Sequence, residues 1–211
     1  AGMVIPPMAF IPAAELYGLM PHLDRWVITT SFAQRKHRHP RGNSAGTCAI
    51  NLSASSLSDD NFYEFVAEQL HLYQVPPAEI CFGITGTSAS ANLSQAIEFI
   101  RKTKELGCRF SLDDFGSGMS SFTYLKHLPV DYLKIDGEFI KDMMENPIDQ
   151  AMVEAINSIA HVMHIETIAE FVENDAILDT LRRMGVDYAQ GYGIERLRLS
   201  VTGECGGPFC S

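Results

Sequence analysis

Residues 109–118 read RFSLDDFGSG, an alternating apolar run that ends in two adjacent carboxylates and a glycine-rich turn. Asp-Asp before Gly is by itself a common turn. Other runs of the chain, however, also end in polar residues. Asn51 follows TCAI, Lys134 and Asp136 close DYLKID, Glu170 and Glu173 close IETIAEFVE, and Gln190 follows DYA. Another run, EICFGIT, holds Gly83, with Gly86 just beyond it. Carboxylates and an amide oxygen, with no His or Cys among them, select hard divalent ions, Mg²⁺ or Mn²⁺. Two adjacent aspartates such as Asp113 and Asp114 can serve two metals about 3.5–4 Å apart, which hold a phosphodiester and activate a bridging water. In that chemistry Lys134 balances the carboxylates or the charge developing on phosphorus. A glutamate beside the metals takes the water's proton.

These residues act together only if the chain brings them to one place, and its pattern alternates strand and helix. TCAINLS (47–53), EICFGIT (79–85), RFSLDD (109–114), DYLKID (131–136), IETIAEFV (165–172) and DYAQGYGI (187–194) read as strands. A helix opens at Pro21, with Leu23, Trp26, Val27 and Ala33 on one side. Further stripes are Phe62, Phe65, Val66 and Leu70; Leu93, Ile97 and Ile100, stopped by Gly107; Met152, Val153, Ile156, Ile159 and Met163, opened by Pro147; and Ile177, Leu178, Leu181 and Met184, capped by Asn174 and ended by Gly185. About six βα units in series imply a parallel sheet covered by helices. Their lengths suit a (β/α) barrel, in which functional groups collect at the C-terminal ends of the strands. The strands are too few to close eight. Residues 1–196 form the barrel domain, and the tail 197–211 has turn composition without periodicity.

The bulk properties narrow the partners. A net charge of −10 over 211 residues argues against long nucleic acid, whose phosphates need a basic footprint. The basic run QRKHRHPRG at 34–42 reads as a solvated helix end and loop. No apolar stretch is long enough to span a membrane, and no signal peptide is visible. Five cysteines without a C-x-x-C pair support neither a disulfide frame nor a zinc site; Cys48, Cys81 and Cys108 read as buried thiols, and a reducing cytoplasm fits them. The chain starts without an initiator Met, as a fragment would.

The ordered motifs NLS (51–53), SLDDFGSGMSSFTYLKHLPVDYLKID (111–136), TIAEFVE (167–173) and QGYGI (190–194), with PPMAFIPAAELYGLMPHLDRWVI (6–28), resemble the EAL domain of cyclic di-GMP phosphodiesterases. The resemblance covers nearly the whole chain. It implies a modified TIM barrel, α/β in class, that opens cyclic di-GMP to pGpG with two divalent metals. It places Asn51, Asp113, Asp114 and Glu170 at metal positions, Lys134 beside the metals and the water, and Glu173, Gln190 and Asp136 in catalytic or supporting positions. It further implies a bacterial cytoplasmic setting, an upstream sensor or diguanylate cyclase domain in the parent protein, and the absence here of the first strands with their Glu-Ala-Leu motif. Another metal-dependent barrel, of the enolase type, also uses Lys, Asp and Glu at strand ends but does not share this motif order.

The chain departs from that pattern where chemistry is concerned. Gly83 and Gly86 stand where the family has the two glutamates of Glu-Ile-Thr-Glu, the first of them a metal ligand. Phe171 stands where many members have Gly, and RLRLS (196–200) where Arg-Pro-x-Pro is usual. The expected result is a phosphodiesterase-family domain that hydrolyses weakly or not at all. The alternatives are a non-catalytic cyclic di-GMP sensor or partner-binding module, and a structural remnant that binds nothing. An unclosed barrel also exposes backbone edges, so self-association, including a homodimer, is expected.

Overall fold

The structure, a computed structural model, describes residues 5–38, 46–116, 122–194 and 209–210. The end of the basic run beyond Arg38 and the RLRLS segment lie outside them. A short 3₁₀ turn at Pro7–Ala9 leads into helices α1 (Ile11–Leu16) and α2 (Met20–Arg38). Strand β1 (Thr47–Asn51) then opens the alternation. It continues with α3 (Ala54–Leu57), α4 (Phe62–Tyr73), β2 (Ile80–Thr85), α5 (Gly86–Ala91), α6 (Leu93–Glu105), β3 (Arg109–Phe115), α7 (Phe122–Leu125) and β4 (Tyr132–Ile135). The remainder is α8 (Gly137–Asp142), α9 (Pro147–Val162), β5 (Glu166–Ala169), α10 (Asp175–Met184), β6 (Tyr188–Ala189) and β7 (Phe209–Cys210).

Strands β1 to β6 pair in sequence order, all parallel, and curl into a half-barrel covered by helices, an incomplete TIM barrel. The helix ends are local chemistry. Asn146 Oδ1 accepts from the Ile148 amide at 3.0 Å ahead of Pro147, and Asn174 Oδ1 accepts from the Ile177 amide at 3.0 Å. Gly185 ends α10 at φ +76°, a conformation that costs glycine little.

Alternation splits each strand between two environments. Phe82, Phe110, Leu112, Leu133, Ile135 and Ala169 belong to the large core between sheet and helices. The other face carries a small separate cluster of Cys81, Tyr132 and Ile168, with Tyr188 against it. A sheet with two buried faces of unequal size is the signature of a curled wall with an interior. Burial pushes the Cys81 and Cys108 thiols up to about 12, so both stay protonated at neutral pH. Cys48 is only partly buried.

Three expectations are corrected. The buried face of α2 is Met20, Asp24, Ile28 and Phe32, while Trp26 is 64% exposed. An apolar stripe omits Asp24, which is buried because it accepts hydrogen bonds from Ser53 and Ser56. Three strands stop two or more residues short of the ends read for them. β1 yields at Asn51 because Ser53 caps α3; β5 yields at Ala169 because Phe171 takes φ +54°; β6 is two residues long. The tail, read as irregular, places Phe209–Cys210 beside β1 in parallel register with Thr47–Cys48.

Candidate functional site

Register brings the strand-end residues together. Asn51 pairs with Gly83, Gly83 with Ser111 and Thr85 with Asp113; Lys134 pairs with Ile168 and Ala169 with Ala189. Residues two apart on a strand share a face, so Ser111 and Asp113 project alike, as do Ile168 and Glu170.

Lys134 is the hub. Its Nζ lies 3.2 Å from Asp113 Oδ2 and 3.0 Å from Glu170 Oε1, and all three side chains are buried. Ser111 Oγ donates to Asp113 Oδ1 at 2.8 Å, and Gln190 Nε2 donates to Glu170 Oε1 at 3.0 Å. Five residues from four strand ends thus form one hydrogen-bonded network. Burial raises the pKa of Asp113 and of Glu170, and this outweighs the attraction of Lys134 for their charged forms. Burial acts against the charge on Lys134, but Asp113 and Glu170 outweigh it and hold the ammonium above its ordinary pKa. Asp114 is exposed, at φ +55°, and its charge acts on both Asp113 and Glu170.

At Asp113 the network also meets Gly83. A Cβ built on Gly83 would collide with Asn51 Oδ1 and would lie 2.9 Å from Asp113 Oδ2. Two oxygens therefore converge over a residue that has no side chain. The turn carrying Asn51 is held by the buried Asp24 carboxylate, which accepts from the Ser53 amide at 2.9 Å and from the Ser53 and Ser56 hydroxyls at 2.7 Å each.

These donors fit a hard divalent cation such as Mg²⁺ or Mn²⁺ in part. Asn51 and Asp113 offer two oxygens at one point. Glu170 reaches that neighbourhood only across the Lys134 ammonium. Among the described residues no three His, Cys, Asp or Glu side chains converge closely enough to hold a metal ion. A two-metal centre needs more carboxylate than this arrangement gathers.

The remaining sequence candidates fall outside the network. Asp136 Oδ1 caps α8 by accepting from the Glu138 amide at 2.8 Å. Glu173 is exposed, and the described hydrogen bonds do not tie it to the cluster. Gly86 begins α5, where Thr85 is the capping residue. Ser111 was missed by reading strand ends, although its position two residues before Asp113 on an alternating strand marks it. Asp24 carries no such signal, because it lies far away in sequence on a helix.

Residues 1–196 match the family described as the EAL domain. The chain is 43% identical over 201 residues to the cyclic di-GMP phosphodiesterase PdeB of Shewanella oneidensis, covering 92% of this chain and 23% of that protein. The chain therefore spans about a quarter of the length of the curated relatives it matches. Among solved structures it resembles the phosphodiesterase PaMucR in its c-di-GMP complex, with TM-score 0.84 and 30% identity over 91% of this chain and 78% of that one. It also resembles the FimX EAL domain from Pseudomonas aeruginosa bound to c-di-GMP, with TM-score 0.83 and 30% identity over 92% and 78% of the two chains.

Proposed function

The chain belongs to the EAL domain family of cyclic di-GMP phosphodiesterases, and on that premise we propose that it binds cyclic di-GMP at the strand-end rim and hydrolyses it weakly or not at all. The carrying observation is that Gly83 puts no carboxylate where Asn51 Oδ1 and Asp113 Oδ2 converge, while Lys134 is held between Asp113 and Glu170. A carboxylate from β2 would add negative charge where Asn51 and Asp113 converge, and Gly83 adds none. Gly86 likewise supplies no acid beside it. A divalent cation bound at Asn51 and Asp113 would supply Lewis-acid polarisation of the phosphodiester. Losses even outside the inner coordination shell commonly cost about 10–100-fold in affinity or activity. Loss of carboxylate ligands acts more strongly.

Binding asks less of the site than cleavage. An ammonium has three N–H donors, and two of those on Lys134 are directed at Asp113 and Glu170, leaving one for a phosphate oxygen. Gln190 steadies Glu170 from the other side, which keeps that carboxylate turned toward Lys134. The two solved neighbours named above carry c-di-GMP, which supports a ligand of that class here.

The test is incubation with cyclic di-GMP and Mn²⁺, following pGpG by chromatography. Little or no product is expected. Turnover on the order of 1 s⁻¹, an ordinary enzyme rate, refutes the reading. A second reading, a non-catalytic sensor, is favoured by Gly83, which supplies no carboxylate where Asn51 and Asp113 converge. Calorimetry with and without Mg²⁺ separates the two: binding that persists without the ion and yields no product supports the sensor. Absence of binding in both conditions leaves only the structural remnant.

A further inference from the structure

The Asn51 side chain makes none of the described side-chain hydrogen bonds, although its Oδ1 is one of the two oxygens that converge over Gly83. Its direction is therefore set by the backbone beneath it. On the strand side the sheet fixes that backbone: Asn51 pairs with Gly83, and the Leu52 amide donates to the Gly83 carbonyl at 2.8 Å. On the other side the chain runs at once into the turn at Ser53. What fixes that turn lies 29 residues away in sequence, on α2. Met20, Ile28 and Phe32 share the buried face of α2 with Asp24, which is 4% exposed. Asp24 enters none of the described ion pairs, so its burial has no cation to offset it there. Its Oδ2 instead accepts from the Ser53 amide at 2.9 Å and from the Ser53 and Ser56 hydroxyls at 2.7 Å each. All three donors belong to the turn that follows Asn51. The next residue of α2 grips the far end of the same segment. Arg25 donates to Asp59 Oδ2 at 2.8 Å, and its guanidinium carbon lies 5.2 and 5.3 Å from the ring centroids of Phe62 and Phe65.

We propose that Asp24 is a positioning residue of the rim. By docking the Ser53 turn on α2 it aims Asn51 Oδ1 at the point shared with Asp113 Oδ2, and so sets how tightly the rim holds a divalent cation and the phosphodiester of cyclic di-GMP. The affinity rests on the rim being the cyclic di-GMP site; the aiming of Asn51 does not. A binding constellation has to be held within about 0.5 Å of its productive geometry. Hydrogen bonds from outside the ligand set do that holding. The demand is greater here than in a site rich in acids. Gly83 adds no oxygen, so the direction of the Asn51 amide decides whether Asp113 has a partner at that point. A buried carboxylate on an otherwise apolar helix face suits this task. It holds one arrangement of the turn against others, which an apolar side chain in its place would not do.

The test compares Asp24→Ala, Asp24→Asn, which keeps an acceptor oxygen in place, and Asp187→Asn, a destabilising change beyond the other end of the strands. The first readout needs no ligand. It is the side-chain amide signal of Asn51 in a nitrogen–proton correlation spectrum, assigned by its loss in Asn51→Asp. The signal should move or broaden in Asp24→Ala, return toward the wild-type position in Asp24→Asn, and stay unchanged in Asp187→Asn. The second readout is calorimetry with cyclic di-GMP and Mg²⁺, in which Asp24→Ala should bind about 10-fold more weakly or worse. Asp187→Asn should bind as the wild type does. Where Asp24→Ala does not fold, Ser56→Ala removes one of the three bonds to Asp24 and should shift both readouts in the same direction by less. An Asn51 signal that Asp24→Ala leaves in place overturns the proposal. So does an equal shift in Asp187→Asn, which would mark general loosening, and so does wild-type affinity in Asp24→Ala. A wild-type chain that binds no cyclic di-GMP overturns the affinity and the reading of the rim together, while the Asn51 signal still decides the positioning.

Discussion

At the scale of single residues, Lys134 decides the electrostatics of the rim. It lies between two buried carboxylates whose own environment disfavours their charge. Removing the ammonium leaves Asp113 and Glu170 facing each other without compensation. Breaking a buried ionic group by deleting one partner costs about 3–5 kcal/mol. Lys134→Met, which keeps most of the side-chain volume, is expected to lose stability in that range by urea denaturation at neutral pH. A loss below about 1 kcal/mol would show that water, rather than Lys134, balances the pair. The same network organises the rim around Gly83.

At the scale of elements, the rim loops interlock through glycines. The Phe139 ring of α8 lies on Gly116 after β3, and the Phe171 ring after β5 lies on Gly137 at the start of α8. Lys141 Nζ stands 4.4 Å from the Phe171 ring centroid. Phe171 keeps φ +54° to make this contact, a conformation that costs a bulky residue about 1 kcal/mol. Gly137→Ala would drive a methyl into that ring, and overpacking of this kind costs about 1–3 kcal/mol. The cost should fall below about 1 kcal/mol in a Phe171→Gly background, because the clashing ring is gone. Equal costs in both backgrounds, by denaturation of the four proteins, would mean that the ring does not confine α8. At the opposite end of the strands, Asp187 joins α9, β5 and β6. Its Oδ2 accepts from the Thr167 amide at 2.7 Å and contacts His161 Nε2 at 2.8 Å. Burial acts to raise its pKa, but Thr167 and His161 outweigh it and hold the carboxyl below its ordinary range. A depressed carboxylate contributes stability above its unfolded pKa and loses it as pH falls through the folded one. Asp187→Asn should therefore be less stable than wild type at neutral pH by roughly 1 kcal/mol. The difference should shrink as pH drops below the ordinary carboxylate value near 3.8. A gap that stays constant from neutral to strongly acid pH would assign the effect to packing.

At the scale of the whole molecule, the described sheet is a half-barrel with two edges. β3 and β4 are flanked by strands on both sides, while β6 closes one side with two residues. Amides in the middle of a sheet open only with large unfolding events, and edge amides open locally. Hydrogen exchange followed by mass spectrometry should therefore show Leu112 and Leu133 protected far longer than Tyr188 and Ala189. Equal protection would mean that β6 is covered in solution. Among the described residues no helix is long and apolar enough to cross a membrane.

Much of this was legible in the linear chain. The strand–helix order, the caps at Asn174 and Gly185, and the set Asn51, Asp113, Lys134, Glu170 and Gln190 at strand ends follow from alternation, capping and turn chemistry. These act over a few residues and are written locally. Gly83 and Gly86, where the resemblance implies two acids, are equally plain there. Tertiary structure alone decided which strand ends meet: that Lys134 stands between Asp113 and Glu170, and that Asn51 and Asp113 converge over Gly83. It also buried Asp24 and exposed Trp26 against the apolar pattern of α2. The reason is the same in each case. Convergence depends on parallel register and on the curl of the sheet, which sum small geometric terms over strands tens of residues apart, and no short window of sequence contains that sum.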